Sequence, residues 1–331
     1  MHDGYDTEGG KRMKVLIIGT GAVGCAIAIA AASAGMETAL LSQNATAEYI
    51  REHGLKRTGL FGEITIAPDR VTIFEDYEHV AHGYDYIAVA VKTTANETVA
   101  GELAAHREIL GPTGRIVIFQ NGWGNEEPYL AHFPASQVFN AVVVTGFERT
   151  APGATNITAH NAPVALGSLH GESVKALEPL AKAIADSGIP SETTENLEHP
   201  LWAKMLFNTT LNPLGAILAM NYGQLAESMH IVGIMDKLIE ETFAVMDAAG
   251  YKTYWKNAEA YKEAFYGKLV PNAGSHRSST LQDIEKRRQT EIGTLNGCIS
   301  RLGETYGIPT PTHDMIVEMI RGIEEIRCRI S

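Results

Sequence analysis

The sequence predicts a two-domain chain, an α/β sheet domain followed by an all-α domain. Three observations carry this. A glycine-spaced turn joins an apolar, β-rich run to a small-residue helix near the start of the chain. Continuous apolar runs of strand length, as expected of buried parallel strands, recur up to about residue 195. From about Asn196 onward the apolar residues keep helical spacing, without strand-like alternation.

A chain of 331 residues exceeds what one ordinary core supports, which fits two domains. The composition is globular, with 45% hydrophobic and 20% charged residues. A formal net charge of −12 argues against nucleic acid or an anionic membrane as partner, since both need a basic surface. A small anionic ligand can still find a local basic pocket. Cys25, Cys298 and Cys328 form neither metal spacing nor obvious pairs, so no metal site is expected and a reducing, cytoplasmic compartment fits. No apolar run has the length of a membrane span. Residues 1–13 are polar and lack the apolar core of a signal peptide, so they read as a disordered extension or an expression remnant. Met13 is a plausible natural start.

The first domain is expected over residues 14–195. Its first strand, Lys14 to Ile18, leads at once into Gly19-Thr20-Gly21-Ala22-Val23-Gly24 and a helix that ends at Gly35. This is G-x-G-x-x-G in its required context of strand, tight turn and helix, the Rossmann dinucleotide-binding pattern. Gly19 permits the turn, Gly21 lets the backbone approach a pyrophosphate, and Gly24 lets helix and strand pack closely. The helix N-terminus then offers unpaired N–H groups to phosphate. The second strand, Glu37 to Leu41, should end beside the adenosine ribose. Ser42-Gln43-Asn44 there is neither acidic, as NAD favours, nor basic, as NADP favours. Arg51 is one candidate to reach a phosphate, although its helix suits a surface role. A polar stretch with β-like alternation follows from Leu55 to Phe74. The buried strand Tyr86 to Val91 ends in Lys92, and Arg115 to Phe119 ends in Gln120-Asn121-Gly122-Trp123-Gly124. Ligands of doubly wound sheets sit beyond such strand ends, which singles out Lys92 and Asn121. Val138 to Thr145 is expected to continue the sheet. A hairpin at Pro152-Gly153, a helix near 173–187 and a strand near Ser191 close the domain.

The second domain is expected over residues 196–331. It opens with a buried helix, Leu201 to Leu225, in which Lys204, Asn208 and Asn212 recur at i, i+4 and i+8. Each such step turns only about 40° around a helix, so one ammonium and two amides share one arc of an apolar rod. Groups of that kind must be satisfied by something. Pro213 removes a backbone donor and disturbs the carbonyl of Thr209. A long helix from Ala226 to Gly250 follows, then an amphipathic stretch over 254–270. Ser278 and Ser279 stand at the start of a helix expected to run to about Tyr306, with Asp283 and Arg287 as an i,i+4 pair. Glu291 lies where that helix turns apolar. A final helix is expected from about His313 to Arg329.

The chain resembles the ketopantoate reductase family (2-dehydropantoate 2-reductase) from about Lys14 to the C-terminus. The resemblance rests on G-x-G-x-x-G, a lysine after the fourth strand and Asn-Gly-x-Gly after the fifth. Two further motifs, L-W-x-K-x-x-x-N-x-x-x-N-P-L and S-S-x-L-Q-D-I…T-E-I, follow in order with matching spacing. It implies a Rossmann domain followed by an all-α domain like the C-terminal domain of 6-phosphogluconate dehydrogenase. It implies NADPH-dependent reduction of 2-dehydropantoate in the pathway to pantothenate and coenzyme A. By the same resemblance, Lys204 matches the proton donor to the keto oxygen, and Glu291 a catalytic glutamate near the nicotinamide ribose and the substrate. Asn208 and Asn212 match amides at the substrate's hydroxyl end, and Ser279 a serine on its carboxylate. Asn121 matches a residue at the junction of nicotinamide and substrate, and Lys92 a cofactor-contacting lysine. Gly19 to Gly24 and Gln43 complete the implied cofactor set. Gln43 stands where NADPH-using members usually carry an arginine, which leaves NAD open beside NADP. Tyr222 falls near a family substrate asparagine, and neighbouring Asn221 is an alternative source of that amide. Two other readings are compatible with these residues. One is an NAD-dependent D-2-hydroxyacid dehydrogenase for another branched or aromatic 2-keto acid. The other is a nucleotide-sensing protein without turnover, against which Lys204 together with Glu291 speaks. The expected partner is a small 2-keto acid, and a homodimer is compatible with the sequence.

Overall fold

The computed structural model describes residues 12–327. The extension expected over residues 1–13 therefore lies, apart from Arg12 and Met13, outside the described residues, as does Cys328. The chain forms two compact units. Within the described residues one runs over 12–91, 95–120 and 126–195, the other over 92–94, 121–125 and 196–327. No helix of the described residues is long and apolar enough to cross a membrane.

The first unit is built on an eight-stranded sheet. Its strands are β1 (Lys14–Ile18), β2 (Glu37–Leu41), β5 (Val71–Phe74), β6 (Tyr84–Val89), β7 (Leu110–Ile118), β8 (Val138–Val142), β11 (Val164–Gly167) and β12 (Ser191–Thr194). The spatial order is β12-β11-β8-β7-β6-β1-β2-β5, parallel except where β11 meets β8. In β1 and β6 consecutive residues are buried, because helices cover both faces of a doubly wound sheet. α1 (Ala22–Ser33) is nearly all buried, and its run of alanines permits close approach to the sheet. α2 (Asn44–His53), α3 (Asn96–Ala105), α4 (Glu127–Leu130) and α5 (Glu178–Asp186) complete the unit's helices.

A second sheet, ordered β4-β3-β10-β9, was not legible as such. It comprises β3 (Leu55–Gly59), β4 (Ile64–Ile66), β9 (Thr145–Ala151) and β10 (Ala154–His160). The strand expected over Val138 to Thr145 is split. β8 stays in the large sheet, whereas β9 turns away to pair antiparallel with β10 through the Pro152-Gly153 turn. Gly153 adopts φ +66°, which a side chain would strain.

The second unit is helical, with α6 (Glu198–Leu218), α7 (Tyr222–Ala226), α8 (Met229–Ala249), α9 (Ala258–Ala264), α10 (Val270–Asn272), α11 (Ser279–Glu285), α12 (Asn296–Tyr306) and α13 (Pro311–Arg327). Two expected helices are broken. The first ends at Leu218, with Ala219 left-handed at φ +55°, and restarts as α7 under an Asn221 capping box. The second stops at Glu285, and Arg287 turns left-handed at φ +53°. The expected Asp283–Arg287 pair is replaced by Arg288, whose guanidinium lies 2.8 Å from Asp283. Residues 286–295 are irregular, so Glu291 stands on a turn rather than on a helix.

Pro213 lies inside α6, and the carbonyl its ring deprives of a donor is answered from elsewhere. Asn296 Nδ2 donates to Thr209 O at 2.9 Å and faces His313 Nδ1 at 3.1 Å. His313 Nε2 lies 3.0 Å from both Leu238 O and Thr242 Oγ1. Asn296, His313 and Thr242 are fully buried, and burial pulls the imidazole down to about 4, so it is neutral near pH 7. The network assigns the Nε2–H tautomer, with Nδ1 accepting from Asn296. Replacing Asn296 by Leu orphans the Thr209 carbonyl in an apolar interior, which costs about 1–3 kcal/mol. Trp123, Trp202 and Trp255 all belong to this unit, so a lowered urea midpoint of tryptophan fluorescence checks the prediction.

Candidate active site

Gly19 to Gly24 form the turn between β1 and α1, and the local geometry explains the glycines. Gly19 has φ +103°. A Cβ on Gly24 would fall 1.9 Å from Gly19 O. A Cβ at Gly21 would meet nothing within 4 Å, so this residue faces open space. No side chain caps α1, and its first turn carries no acidic residue. Its orphan N–H groups and positive dipole end suit a pyrophosphate there. Thr20 Oγ1 and Ser42 Oγ, 2.8 Å apart, tie the glycine turn to the end of β2. Gln43 is exposed and turned aside, its Nε2 donating to Glu75 O at 3.1 Å. Arg51 pairs with Glu75 at 2.6 Å, the surface role its helix suggested.

The helical unit gathers the polar constellation. Lys204 on α6 donates from Nζ to Asn121 Oδ1 at 2.6 Å. Asn121 Nδ2 in turn donates to Glu291 Oε2 at 3.1 Å. An amide can satisfy an ammonium and a carboxylate at once only in this orientation, carbonyl toward the cation and NH₂ toward the anion. Burial pulls the Lys204 ammonium down to about 8, and the Glu291 charge opposes that shift.

The loop carrying Asn121 joins the helical unit for identifiable reasons. The Trp123 ring packs 4.8 Å from Trp202 and 4.6 Å from Tyr251, and the Trp202 and Tyr251 rings are 5.0 Å apart. Trp123 N–H donates to Thr294 O at 3.1 Å. Gly122, at φ +103°, approaches Thr294 so closely that a Cβ would meet its carbonyl oxygen at 2.5 Å. Thr294 N–H bonds Glu291 O, so the turns bearing Asn121 and Glu291 are stitched through backbone. Lys92 is held differently. Its Nζ lies 2.6 Å from Asp283 Oδ2, a buried carboxylate that also takes Arg288.

The remaining expected residues lie on α6 or beside it. Asn208 is half-buried one turn beyond Lys204, and Asn212 is buried. Tyr222, itself buried, donates its hydroxyl to Asn212 Oδ1. Asn221 is committed to capping α7, with Oδ1 accepting from Gln224 N–H at 2.9 Å. Ser279 is the exposed first residue of α11, while neighbouring Ser278 is fully buried and caps the helix through Leu281 N–H at 3.0 Å. The Asp283 clamp on Lys92, the Trp123 anchor and the Tyr222–Asn212 bond were missed at the level of sequence. A tryptophan between two glycines at a strand end was the one available signal.

A Rossmann sheet with an open glycine turn, and a helical unit holding a half-buried lysine linked through an amide to a carboxylate, define an oxidoreductase that uses a nicotinamide dinucleotide. The known proteins agree. Residues 15–171 match the family model "Ketopantoate reductase PanE/ApbA", and residues 196–324 match "Ketopantoate reductase PanE/ApbA C terminal". The 2-dehydropantoate 2-reductase of Aquifex aeolicus is 34% identical over 314 residues, covering 94% of this chain and 97% of that protein. A PanE/ApbA family ketopantoate reductase structure from Ralstonia eutropha JMP134 is 29% identical, with TM-score 0.81, covering 95% of this chain and 99% of that one. D-mandelate dehydrogenase with NADH and anilino(oxo)acetate shares the fold at 24% identity and TM-score 0.81, covering 95% of this chain and 99% of that one. The chain belongs to the ketopantoate reductase family.

The balance at Lys204 is open to direct measurement. Competitive acetylation across a pH series, read by peptide mass spectrometry, is expected to show Lys204 titrating at about 8. In Asn121→Asp a carboxylate replaces the neutral amide beside the ammonium. Opposite charge favours the protonated form, so the midpoint moves up. A midpoint that stays or falls contradicts this account of the site.

Proposed function

We propose that this protein is a 2-dehydropantoate 2-reductase that reduces the 2-keto group with NADPH to give (R)-pantoate. The observation that carries the reading is the hydrogen-bonded series Lys204–Asn121–Glu291 in a chain 34% identical to a 2-dehydropantoate 2-reductase. When bound, the reduced nicotinamide supplies a hydride to C2 of the keto acid. The turn from Gly19 to Gly24, with Thr20, Ala22 and Val23 supplying backbone groups, holds the pyrophosphate.

The rest of the chemistry falls to side chains. As hydride adds to C2, the carbonyl π pair moves onto oxygen. Lys204, as an ammonium, stabilises that charge and gives up one proton to it, ending as a neutral amine. A group near 8 releases this proton far more readily than an ordinary lysine. Asn121 fixes the Nζ direction, and Glu291 keeps enough negative charge nearby for Lys204 to start protonated. Asn208 and Asn212 read the hydroxyl end of the substrate, and Ser279 contributes to holding its carboxylate. Lys92, set by Asp283, serves the cofactor.

One observation favours a second reading within the same chemistry. Tyr222 takes up the Asn212 carbonyl oxygen, and its ring lies 5.6 Å from Phe207 and 5.1 Å from His276. Such aromatic packing beside Asn212 suits another branched or aromatic 2-keto acid, which would make the protein an NAD-dependent D-2-hydroxyacid dehydrogenase. Initial rates of NADPH and NADH oxidation with 2-dehydropantoate and with a panel of 2-keto acids separate the two. The proposal expects 2-dehydropantoate to have the highest kcat/KM, and an aromatic substrate ahead of it would select the second reading.

Lys204→Ala is expected to lower kcat by about 10²- to 10⁴-fold, the usual worth of a positioned acid. For the native protein, kcat/KM for reduction should be flat below and fall above about pH 8, because the reacting form is the protonated lysine. Near-native turnover in Lys204→Ala would remove Lys204 from the mechanism.

A further inference from the structure

NADP differs from NAD by one phosphate on the adenosine 2′-oxygen, and a protein that prefers NADP must answer its charge. Gln43 does not, since it is neutral and bonded to Glu75 O. Arg51 is nearby in sequence, but its charge is taken by Glu75. A third cation comes to the same place from the small sheet. Arg149 on β9 donates from Nη2 to Thr46 Oγ1, in the first turn of α2, at 2.9 Å. Its Nε reaches Ala151 O at 3.4 Å. Both acceptors are neutral, and no carboxylate pairs with Arg149 among the described residues. The guanidinium is exposed, in a chain of net charge −12.

Arg149 also lies close to α1. Burial pushes the Cys25 thiol up to about 12, and the Arg149 charge is near enough to oppose that rise. Cys25 directly follows Gly24 and contacts Thr20 O, the residue whose hydroxyl meets Ser42 at the end of β2. The guanidinium stands at the first turn of α2, on a strand that packs against α1. Between the first turns of α1 and α2, past the end of β2, a Rossmann sheet holds the adenosine ribose. The first turn of α2 carries no acidic residue, no side chain caps it, and Asn44 opens it at φ +56°.

We infer that Arg149 recognises the 2′-phosphate of NADP, supplying from β9 the guanidinium that Gln43 does not supply at the end of β2. A planar guanidinium fork matches phosphate oxygens in a bidentate way that an amide cannot. Thr46, whose oxygen accepts from Arg149, keeps its own hydroxyl proton for the same phosphate. This inference rests on the proposed use of NADPH.

The test uses binding, with adenosine 2′,5′-bisphosphate and AMP as probes that differ only in the 2′-phosphate. Calorimetric titration of the native protein is expected to show the bisphosphate binding at least about tenfold more tightly than AMP. Arg149→Ala should erase most of that advantage, a loss of about ten- to a hundredfold in bisphosphate affinity, while AMP changes by less than about threefold. Arg149→Lys should retain an intermediate advantage, because charge remains and the fork is lost. Equal native affinities overturn the inference. So does an Arg149→Ala protein that keeps the advantage, or one that loses both ligands equally. A native protein that binds the bisphosphate through Arg149 yet reduces no 2-dehydropantoate would refute the proposed substrate and leave this assignment standing.

Discussion

The helical unit depends on how one half-buried ammonium is satisfied. Lys204 sits on a helix whose neighbours Trp202, Met205 and Leu206 are fully buried core residues. An unpaired charge there would cost several kcal/mol or be lost by deprotonation. Asn121 answers it, and that demand constrains everything attached to Asn121. The loop must leave the sheet's strand end and dock on the helices, which the Trp123 cluster and the Gly122 approach to Thr294 accomplish. Residues 121–125 thus share the compact unit of residues far along the chain rather than that of their own strand.

Two departures from regular hydrogen bonding serve the same constellation. Pro213 removes one rung from the ladder of α6, which stays helical to Leu218, and leaves an acceptor that Asn296 fills. The support runs through Asn296 to His313 and α8. The second break, over residues 286–295, turns the chain so that Glu291 reaches the Asn121 amide. A continuous helix through this segment would carry its charges to a solvated face, as helical spacing alone suggested.

What the sequence disclosed and what it hid follow from the range of the forces involved. The glycine turn, β1, β2 and the helical second half were readable because each rests on local sterics or on periodic burial. The arc of Lys204, Asn208 and Asn212 was readable for the same reason, as was the consequence of Pro213 for Thr209. The hidden features are long-range. Nothing in the neighbourhood of Lys92 announces Asp283, 191 positions away, and nothing near Asn212 announces that Tyr222 will donate to it. The split at Val143 was hidden because β8 and β9 are equally β-like, and pairing with β10, not propensity, moves β9 to another sheet. The break after Leu218 was missed because apolar residues at helical spacing run on through the left-handed Ala219, and the break after Glu285 because charged residues at helical spacing also suit an irregular turn.

The spacing of charge across Asn121 explains why Lys204 falls between an ordinary lysine and a neutral amine. Burial alone drives a lysine down by several units. A carboxylate in direct contact would restore most of that loss, and the resulting tight ion pair would hold its proton. Asn121 bonds to both groups, and the Glu291 charge opposes the lowering that burial causes. In the proposed reaction an anionic substrate adds negative charge and raises the proton affinity of Lys204, and as hydride adds, charge gathers on the keto oxygen until it is the stronger base. In the proposed mechanism, the uncharged asparagine between lysine and glutamate lets one proton be held before the reaction and surrendered during it.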